Sequence, residues 1–414
     1  MALLTPDDTL VLLEVFIFLA LAQVVHTLTS RIGLPEIVAD LLVGMTLGVY
    51  ALGGTLDGWL GVPLFQQGSG LLLFADLSAI LLLFVAGLGG GFSSLRRAGR
   101  YAVAAAIAGD LVPFGLVFLL MSRIYPLDAA LLIAVAAAAT SAAVAASLIQ
   151  SARLTHAHGA QFLMNVAALD DVVALVLLSV VLATFGGELN VLDIARSATL
   201  SVAGWLVLLL VAVVVVPRLL RVRVLREVEN LPFALLFVVI AVVLALGFSP
   251  IVGAYIAGLA VAESVVAQRT RRTAGVMLMV FGALFFVVVG SEFNVHLLTD
   301  PTLLIAALAI AVIAALGKVV GVYPFARVRL GTMPPARAVA VGMIPRGEIG
   351  LIVGGIGLST GVLTQEMFGE VILMAVVTTL AGALLFRRYA GALGPPSEEL
   401  LESSARPHGT APGR

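Results

Sequence analysis

Thirteen runs of about twenty apolar residues divide this chain, and each is long enough to cross the hydrocarbon of a bilayer as a helix. They lie at 10–30, 35–53, 70–93, 101–122, 128–150, 158–184, 197–217, 231–248, 251–267, 273–291, 302–325, 334–360 and 366–388. Strict two-residue alternation is absent, which argues against a transmembrane β-barrel. With 61% of its 414 residues apolar and 11% charged, the chain lacks the polar surface that a water-soluble domain presents. That composition excludes a cytosolic enzyme, a nucleic-acid binder and a disordered scaffold. The net charge of −1 offers no field for a polyanionic partner. Without cysteine, neither disulfides nor thiolate metal sites enter the argument. The first run does not read as a cleavable signal, because Asp7 and Asp8 precede it and no Lys or Arg does.

The basic residues sort by loop. Arg31; Arg96, Arg97 and Arg100; Arg153; Arg218, Arg221, Arg223 and Arg226; Arg269, Arg271 and Arg272; Arg327, Arg329 and Arg337; and Arg387 and Arg388 all fall on one side of a thirteen-span chain. The intervening loops hold Arg123 and Arg196. Cytoplasmic loops concentrate Lys and Arg, so the expected topology is a multi-pass plasma (inner) membrane protein with its N-terminus outside and its C-terminus cytoplasmic. The segment near 54–69 reads as a short outer loop, and 391–414, rich in Pro, Ser, Glu and Gly, as a disordered polar cytoplasmic tail. No Walker-type glycine loop and no room for a nucleotide-binding domain are present, so transport would draw on an ion gradient.

With the loop arginines set aside, two cations remain in the runs: Lys318, the chain's sole lysine, and Arg346. A charge near the bilayer centre costs about 2.5–3.5 kcal/mol even on the lenient insertion scale, which favours function over snorkelling for Lys318. Its candidate partners are Asp170 and Asp171, adjacent carboxylates in LDDVVAL at the middle of the sixth run. One Asp would suffice for a packing ion pair; two suit a site that holds protons or a dehydrated cation. Two runs look interrupted. The fifth carries Thr140 and Ser141 among small residues, and the twelfth reads IPRGE, with Pro345 and Gly347 breaking the helix beside Arg346 and Glu348. Non-helical backbone at that depth survives inside protein or beside a water-filled cavity, and the competing reading of the twelfth run is a proline kink with an internal Arg–Glu pair. Asp40, Asp76 and Asp110 are read as structural, lining a funnel or capping helices, and His156 and His158 as solvated loop residues.

IAGDLVPFG around Asp110 echoes LGKVVGVYPFA around Lys318, and thirty residues beyond each lie Thr140 and Glu348. The first triplet of runs starts inside and the second outside, the arrangement of an inverted repeat.

The Asp170–Asp171 pair, the GKVVG motif around Lys318, the TS of the fifth run and the PRGE of the twelfth resemble a sodium/proton antiporter of the NapA/NhaA type, within the cation/proton antiporter superfamily. That resemblance implies an all-α polytopic protein of thirteen transmembrane helices, with an inverted-repeat core containing two broken, crossing helices, plus a dimerisation domain. It places dimerisation spans in 1–100 and 231–300, core repeats in 101–184 and 301–390, and a linker span in 185–230, ahead of the tail at 391–414. It implies a lipid-embedded homodimer with no cofactor, exchanging sodium, or lithium, for protons by alternating access. Two retained aspartates resemble the electrogenic branch. In this scheme Asp171 is the main sodium ligand and proton carrier, assisted by Asp170. Sodium competes with Lys318 for Asp170 and frees the Lys318 proton. Thr140 or nearby carbonyls complete the ligand shell, and Arg346 and Glu348 brace the breaks. The alternatives are potassium/proton exchange, a cation channel, or an intramembrane aspartate enzyme. The last lacks an HExxH motif and a DDxxD continuation.

Overall fold

A computed structural model describes residues 6–29, 34–66, 68–91, 98–185 and 191–394 of the chain. The fold is helical, with no β-strand among the described residues. In chain order the helices are α1 (Pro6–Thr29), α2 (Glu36–Leu47), α3 (Leu52–Leu60), α4 (Ser69–Gly90), α5 (Arg100–Met121), α6 (Leu127–Ala138), α7 (Ala142–Ser151), α8 (His158–Leu182) and α9 (Val191–Leu219). They continue with α10 (Arg223–Arg226), α11 (Leu231–Ala245), α12 (Pro250–Ala262), α13 (Ala267–Ser291), α14 (Pro301–Leu330), α15 (Met333–Gly342), α16 (Glu348–Ser359) and α17 (Gln365–Tyr389). Among the described residues, ten helical segments are long and apolar enough to cross a membrane. Shorter apolar helices stand at Leu231–Ala245, Pro250–Ala262 and Glu348–Ser359.

The helices pack in two groups. α5, α6, α8 and α14–α17 contact one another, with α5 against α14 as their most extensive pairing; α2, α4, α12 and α13 form the centre of the other group. α9 touches both, lying against α8 and α12. Without a hydrophobic drive between helices in lipid, close approach depends on small side chains. On the α5–α14 seam, a Cβ on Gly317 would stand 2.8 Å from Pro113 Cα, and one on Gly321 would stand 2.3 Å from the Ala108 carbonyl oxygen. The two glycines that flank Lys318 in GKVVG therefore bring its helix against α5.

Some expectations change. The segment expected as a plain outer loop contains α3, whose Asp57 turns back the chain by accepting hydrogen bonds from the Leu64 and Phe65 amides at 2.8 and 3.0 Å. The carboxylate does what a following helical turn would do, which composition alone did not reveal. At the C-terminal end, Ala390–Leu393 form a 3-10 turn, and buried Leu393 lies beside Gly159. The rest of the polar tail, 395–414, lies outside the described residues, as do Arg31, Arg96 and Arg97.

Candidate functional site

α6 and α7 are two halves of one interrupted segment, as are α15 and α16. At the first break Ala139 and Ser141 adopt extended backbone, and at the second Gly347 leaves the helix at φ −159° and ψ −124°. The breaks meet: the Ser141 amide donates to the Pro345 carbonyl at 2.9 Å, and the Thr140 hydroxyl donates to the Met343 carbonyl at 3.1 Å. Pro345 has no amide proton to leave unsatisfied. A Cβ on Gly347 would fall 2.7 Å from the Ser141 side chain, so the crossing itself requires glycine.

Four half-helix ends converge here, each presenting bare backbone groups. The Arg346 guanidinium takes the carbonyl end of α6, donating from Nη1 to the Ala138 and Ala139 oxygens at 2.6 and 3.1 Å. Its Nη2 reaches the Ala314 oxygen of α14 at 2.9 Å. The Thr379 hydroxyl of α17 in turn donates to the Arg346 carbonyl. Glu348 takes the amino end of α7: it accepts from the Ser141 hydroxyl at 2.6 Å and the Ala143 amide at 3.5 Å, while Ser141 Oγ accepts from the Val144 amide at 3.2 Å. A cation thus faces a helix C-terminus and an anion a helix N-terminus. Arg346 and Glu348 do not pair with each other, so the proline-kink reading with an internal ion pair does not describe this segment.

The carboxylates sit beside this crossing. Asp170, on α8, uses both oxygens: Oδ1 accepts from Lys318 Nζ at 2.6 Å and Oδ2 from the Thr140 amide at 2.9 Å. Asp171 is 3% exposed, and its Oδ1 has no hydrogen-bond partner among the described residues. Asp110, on α5, accepts from Lys318 Nζ through Oδ1 at 2.7 Å, and its buried Oδ2 has no partner among the described residues. Asp110 was expected to line a funnel or cap a helix; instead it gives Lys318 a second carboxylate, a pairing that the sequence reading assigned to Asp170 and Asp171. The carbonyls that anchor Arg346 belong to alanines and left no mark in the sequence.

Asp110, Asp170, Asp171 and Glu348 are thus buried around two basic groups, Lys318 and Arg346. With all six ionised, the crossing is two positive charges short of neutrality. Charges in such surroundings are tolerated only when compensated, so the centre has a standing demand for protons or metal cations.

A route reaches it. A cavity of about 550 Å³ is lined by Glu36, Asp40, His26, Ala143 and Glu348, and an adjoining one of about 400 Å³ shares His26, Glu36 and Ala143. His26, which the sequence did not mark, pairs through Nε2 with Asp40 Oδ1 at 2.7 Å, joining α1 to α2 on the cavity wall. Asp76 is exposed on α4, and His156 and His158 are exposed near the start of α8, all outside the crossing.

Comparison with known proteins follows the same lines. The high-affinity Na+/H+ antiporter NhaS3 of Synechocystis is 28% identical over 387 residues, covering 84% of this chain and 83% of that protein. The Na+/H+-K+ antiporter GerN of Bacillus cereus is 24% identical over 375 residues, covering 89% of this chain and 93% of that one. The solved structure of the sodium proton antiporter MjNhaP1 from Methanocaldococcus jannaschii superposes with a TM-score of 0.72 at 17% identity, covering 93% of this chain and 98% of that one, and shares its fold. The family model for sodium/hydrogen exchanger, transmembrane, matches residues 15–388, and the chain belongs to that family.

Proposed function

We propose that the chain is a secondary antiporter exchanging sodium, and also lithium, for protons by alternating access. The observation that carries this reading is Asp171: a buried carboxylate with a free oxygen, adjacent to an aspartate already committed to Lys318 and Thr140. A group with an unmet acceptor in a centre short of positive charge takes up either a proton or a hard cation, and oxygen donors suit sodium.

Sodium enters through the acid-lined cavity that ends at Glu348. Asp171 is its main ligand, and Asp170 turns to it from Lys318. Lys318 keeps its bond to Asp110 and releases its proton to the same side. Thr140 and the open carbonyls of the breaks complete the oxygen shell. Arg346 and Glu348 hold the helix ends in place and take no part in ion binding. Retention of both aspartates supports an electrogenic exchange of the NapA/NhaA type.

The wider architecture belongs to the same proposal. Counting each broken pair as one span and adding the shorter α11 and α12 gives thirteen spans, with α5–α8 and α14–α17 as the moving core. The group centred on α2, α4, α12 and α13 is the homodimerisation scaffold, and α9 is the linker. The arginine asymmetry supports an outer N-terminus and a cytoplasmic C-terminus in the plasma membrane.

Reconstituted protein tests the reading: sodium added to acid-loaded proteoliposomes dequenches an internal pH dye, and Asp171→Asn abolishes the response. Unchanged dequenching in that variant overturns the assignment. Potassium/proton exchange is the second reading, favoured by the Na+/H+-K+ antiporter among the relatives. Parallel titrations with sodium, lithium and potassium separate the two.

A further inference from the structure

Away from the crossing, a groove of about 460 Å³ opens between the end of α5, the start of α14 and the start of α17. Its polar lining is acidic: Asp300, Glu366 and Glu370, together with Tyr125 and Thr302, with no basic side chain among the described residues. Glu370 is 2% exposed. Its Oε1 accepts from the Tyr125 hydroxyl at 2.5 Å, whereas its buried Oε2 has no partner among the described residues. Burial, and then Glu370 and Glu366, push the Tyr125 phenol above its ordinary range, so it remains a donor to Glu370.

The remaining wall is apolar, including Leu120, Leu303, Ile124 and Ile305. Ile124 is 57% and Ile305 68% exposed, on surface that in a membrane faces lipid. Glu370 lies five residues into α17, about 8 Å from its start by helix rise. The groove therefore offers an anionic end near a helix terminus and an apolar side toward the acyl chains.

Those features select an occupant. A bare divalent ion is disfavoured, because among the described residues no three His, Asp or Glu groups stand together as a metal site. It would also leave the apolar wall without purpose. A quaternary ammonium has no N–H to satisfy the open oxygen of Glu370, and a buried acceptor left unmet is costly. A primary ammonium donates three hydrogen bonds in spread directions, enough to serve two carboxylates one helical turn apart on the groove wall. Arg123 is exposed on the turn before Tyr125 and outside the lining, a cation available to a phosphate at the rim.

We propose that this groove binds the headgroup of a primary-amine phospholipid, with the ethanolamine ammonium seated on Glu370 and Glu366 and the acyl chains along Ile124 and Ile305. The site is separate from the ion crossing and does not depend on which cation the protein carries.

Native mass spectrometry of the purified protein with equal amounts of phosphatidylethanolamine, phosphatidylcholine and phosphatidylglycerol tests this directly. The wild type retains phosphatidylethanolamine in preference to the other two. Glu370→Gln weakens that lipid by about tenfold, as loss of a charged hydrogen bond predicts, and Glu370→Asp restores most of it. Because Glu370 is buried, the exposed Glu366→Gln serves as a second variant whose folding is not at issue, and it also weakens the preference. Equal retention of the choline lipid by the wild type overturns the proposal. So does a preference that survives both Gln substitutions. Thermal stabilisation by soluble ethanolamine, sodium or calcium equal to that given by the lipid likewise overturns it.

Discussion

Asp110 and Lys318 lie 208 residues apart in the chain, and the Lys318 ammonium donates to the Asp110 carboxylate at 2.7 Å. Under that same interval the neighbouring contacts are reciprocal, which supports the expected inverted repeat. Gly317 closes on Pro113 while Gly321 closes on Gly109, each the other's contact displaced by the same interval. Asp170 then joins Lys318 from α8, so the ammonium bridges a fixed partner and one proposed to exchange.

The bridge predicts that Asp110 and Lys318 are energetically coupled. Asp110→Asn keeps the shape but removes one of the charges facing Lys318, so it lowers thermal stability; breaking a buried ion pair from one side costs about 3–5 kcal/mol, and the amide recovers part of that. The double variant with Lys318→Gln is less destabilised than the sum of the singles, by about 1–3 kcal/mol. Melting of the four proteins in one detergent checks this. Strict additivity would show that Asp110 and Lys318 are not coupled.

Arg346 predicts a steep loss on a change that keeps the charge. Its planar fork reaches two carbonyls at the end of α6 and one on α14, a span a single ammonium does not reproduce. Arg346→Lys should therefore lower the melting midpoint, by about 2–4 kcal/mol of stability, as buried acceptors lose their donors. A midpoint within error of wild type would show that charge alone braces the break.

Much of this was readable before the fold. Apolar runs marked the long helices because backbone in lipid must satisfy itself within helices, and scarcity of charge singled out Lys318, Arg346 and the aspartate pair. Thr140 and Ser141 were visible only as small polar residues in an alanine-rich run. Their use depends on a second break that the chain reaches some two hundred residues later. The Ala138, Ala139 and Ala314 carbonyls were invisible, since backbone acceptors are common to every residue. His26 was hidden for a different reason: a lone histidine near a helix end is ordinary until Asp40 is brought to 2.7 Å from it.

Ser141 links the two breaks through one hydroxyl, donating to Glu348 and capping α7. Ser141→Ala removes both bonds and leaves a Glu348 oxygen without its donor. The expected loss is about 1–3 kcal/mol from the cap and the unmet acceptor together. Ser141→Thr, which keeps the hydroxyl, should do less harm in the same melting assay. If alanine and threonine behave alike, the hydroxyl is not what joins the halves.

The cavity acids predict a kinetic effect without a structural one. Glu36 is exposed on the wall of the route that ends at Glu348, where a negative charge raises the local concentration of cations. Glu36→Gln should raise the apparent KM for sodium by about two- to fivefold at low ionic strength, leaving the maximal rate intact. Added choline chloride should erase the difference, because exposed charges are screened within about 10 Å at 0.1 M salt. A difference that persists at high salt would point to direct ligation instead of attraction.

Gly321 puts the seam itself to the test. A Cβ there would stand 2.3 Å from the Ala108 oxygen, an atom of helical backbone that cannot swing aside. Gly321→Ala must therefore push α14 from α5. Overpacking of this kind costs about 1–3 kcal/mol, but the larger consequence lies three residues away. Lys318 Nζ holds Asp110 and Asp170 at 2.7 and 2.6 Å, and displacement of its helix lengthens the bond to α5 first. Asp110 then loses its share of the ammonium, and Lys318 rests on Asp170 alone. Sodium must win Asp170 from a lysine with no second carboxylate to fall back on, so the apparent affinity for sodium falls along with stability. Gly115→Ala, on the same α5 but with open space around its Cβ, is the matched control and should change neither. Measurement of sodium KM and melting midpoint for both variants separates the two glycines. Equal behaviour would show that the close approach of α5 and α14 does not set the geometry of the lysine bridge.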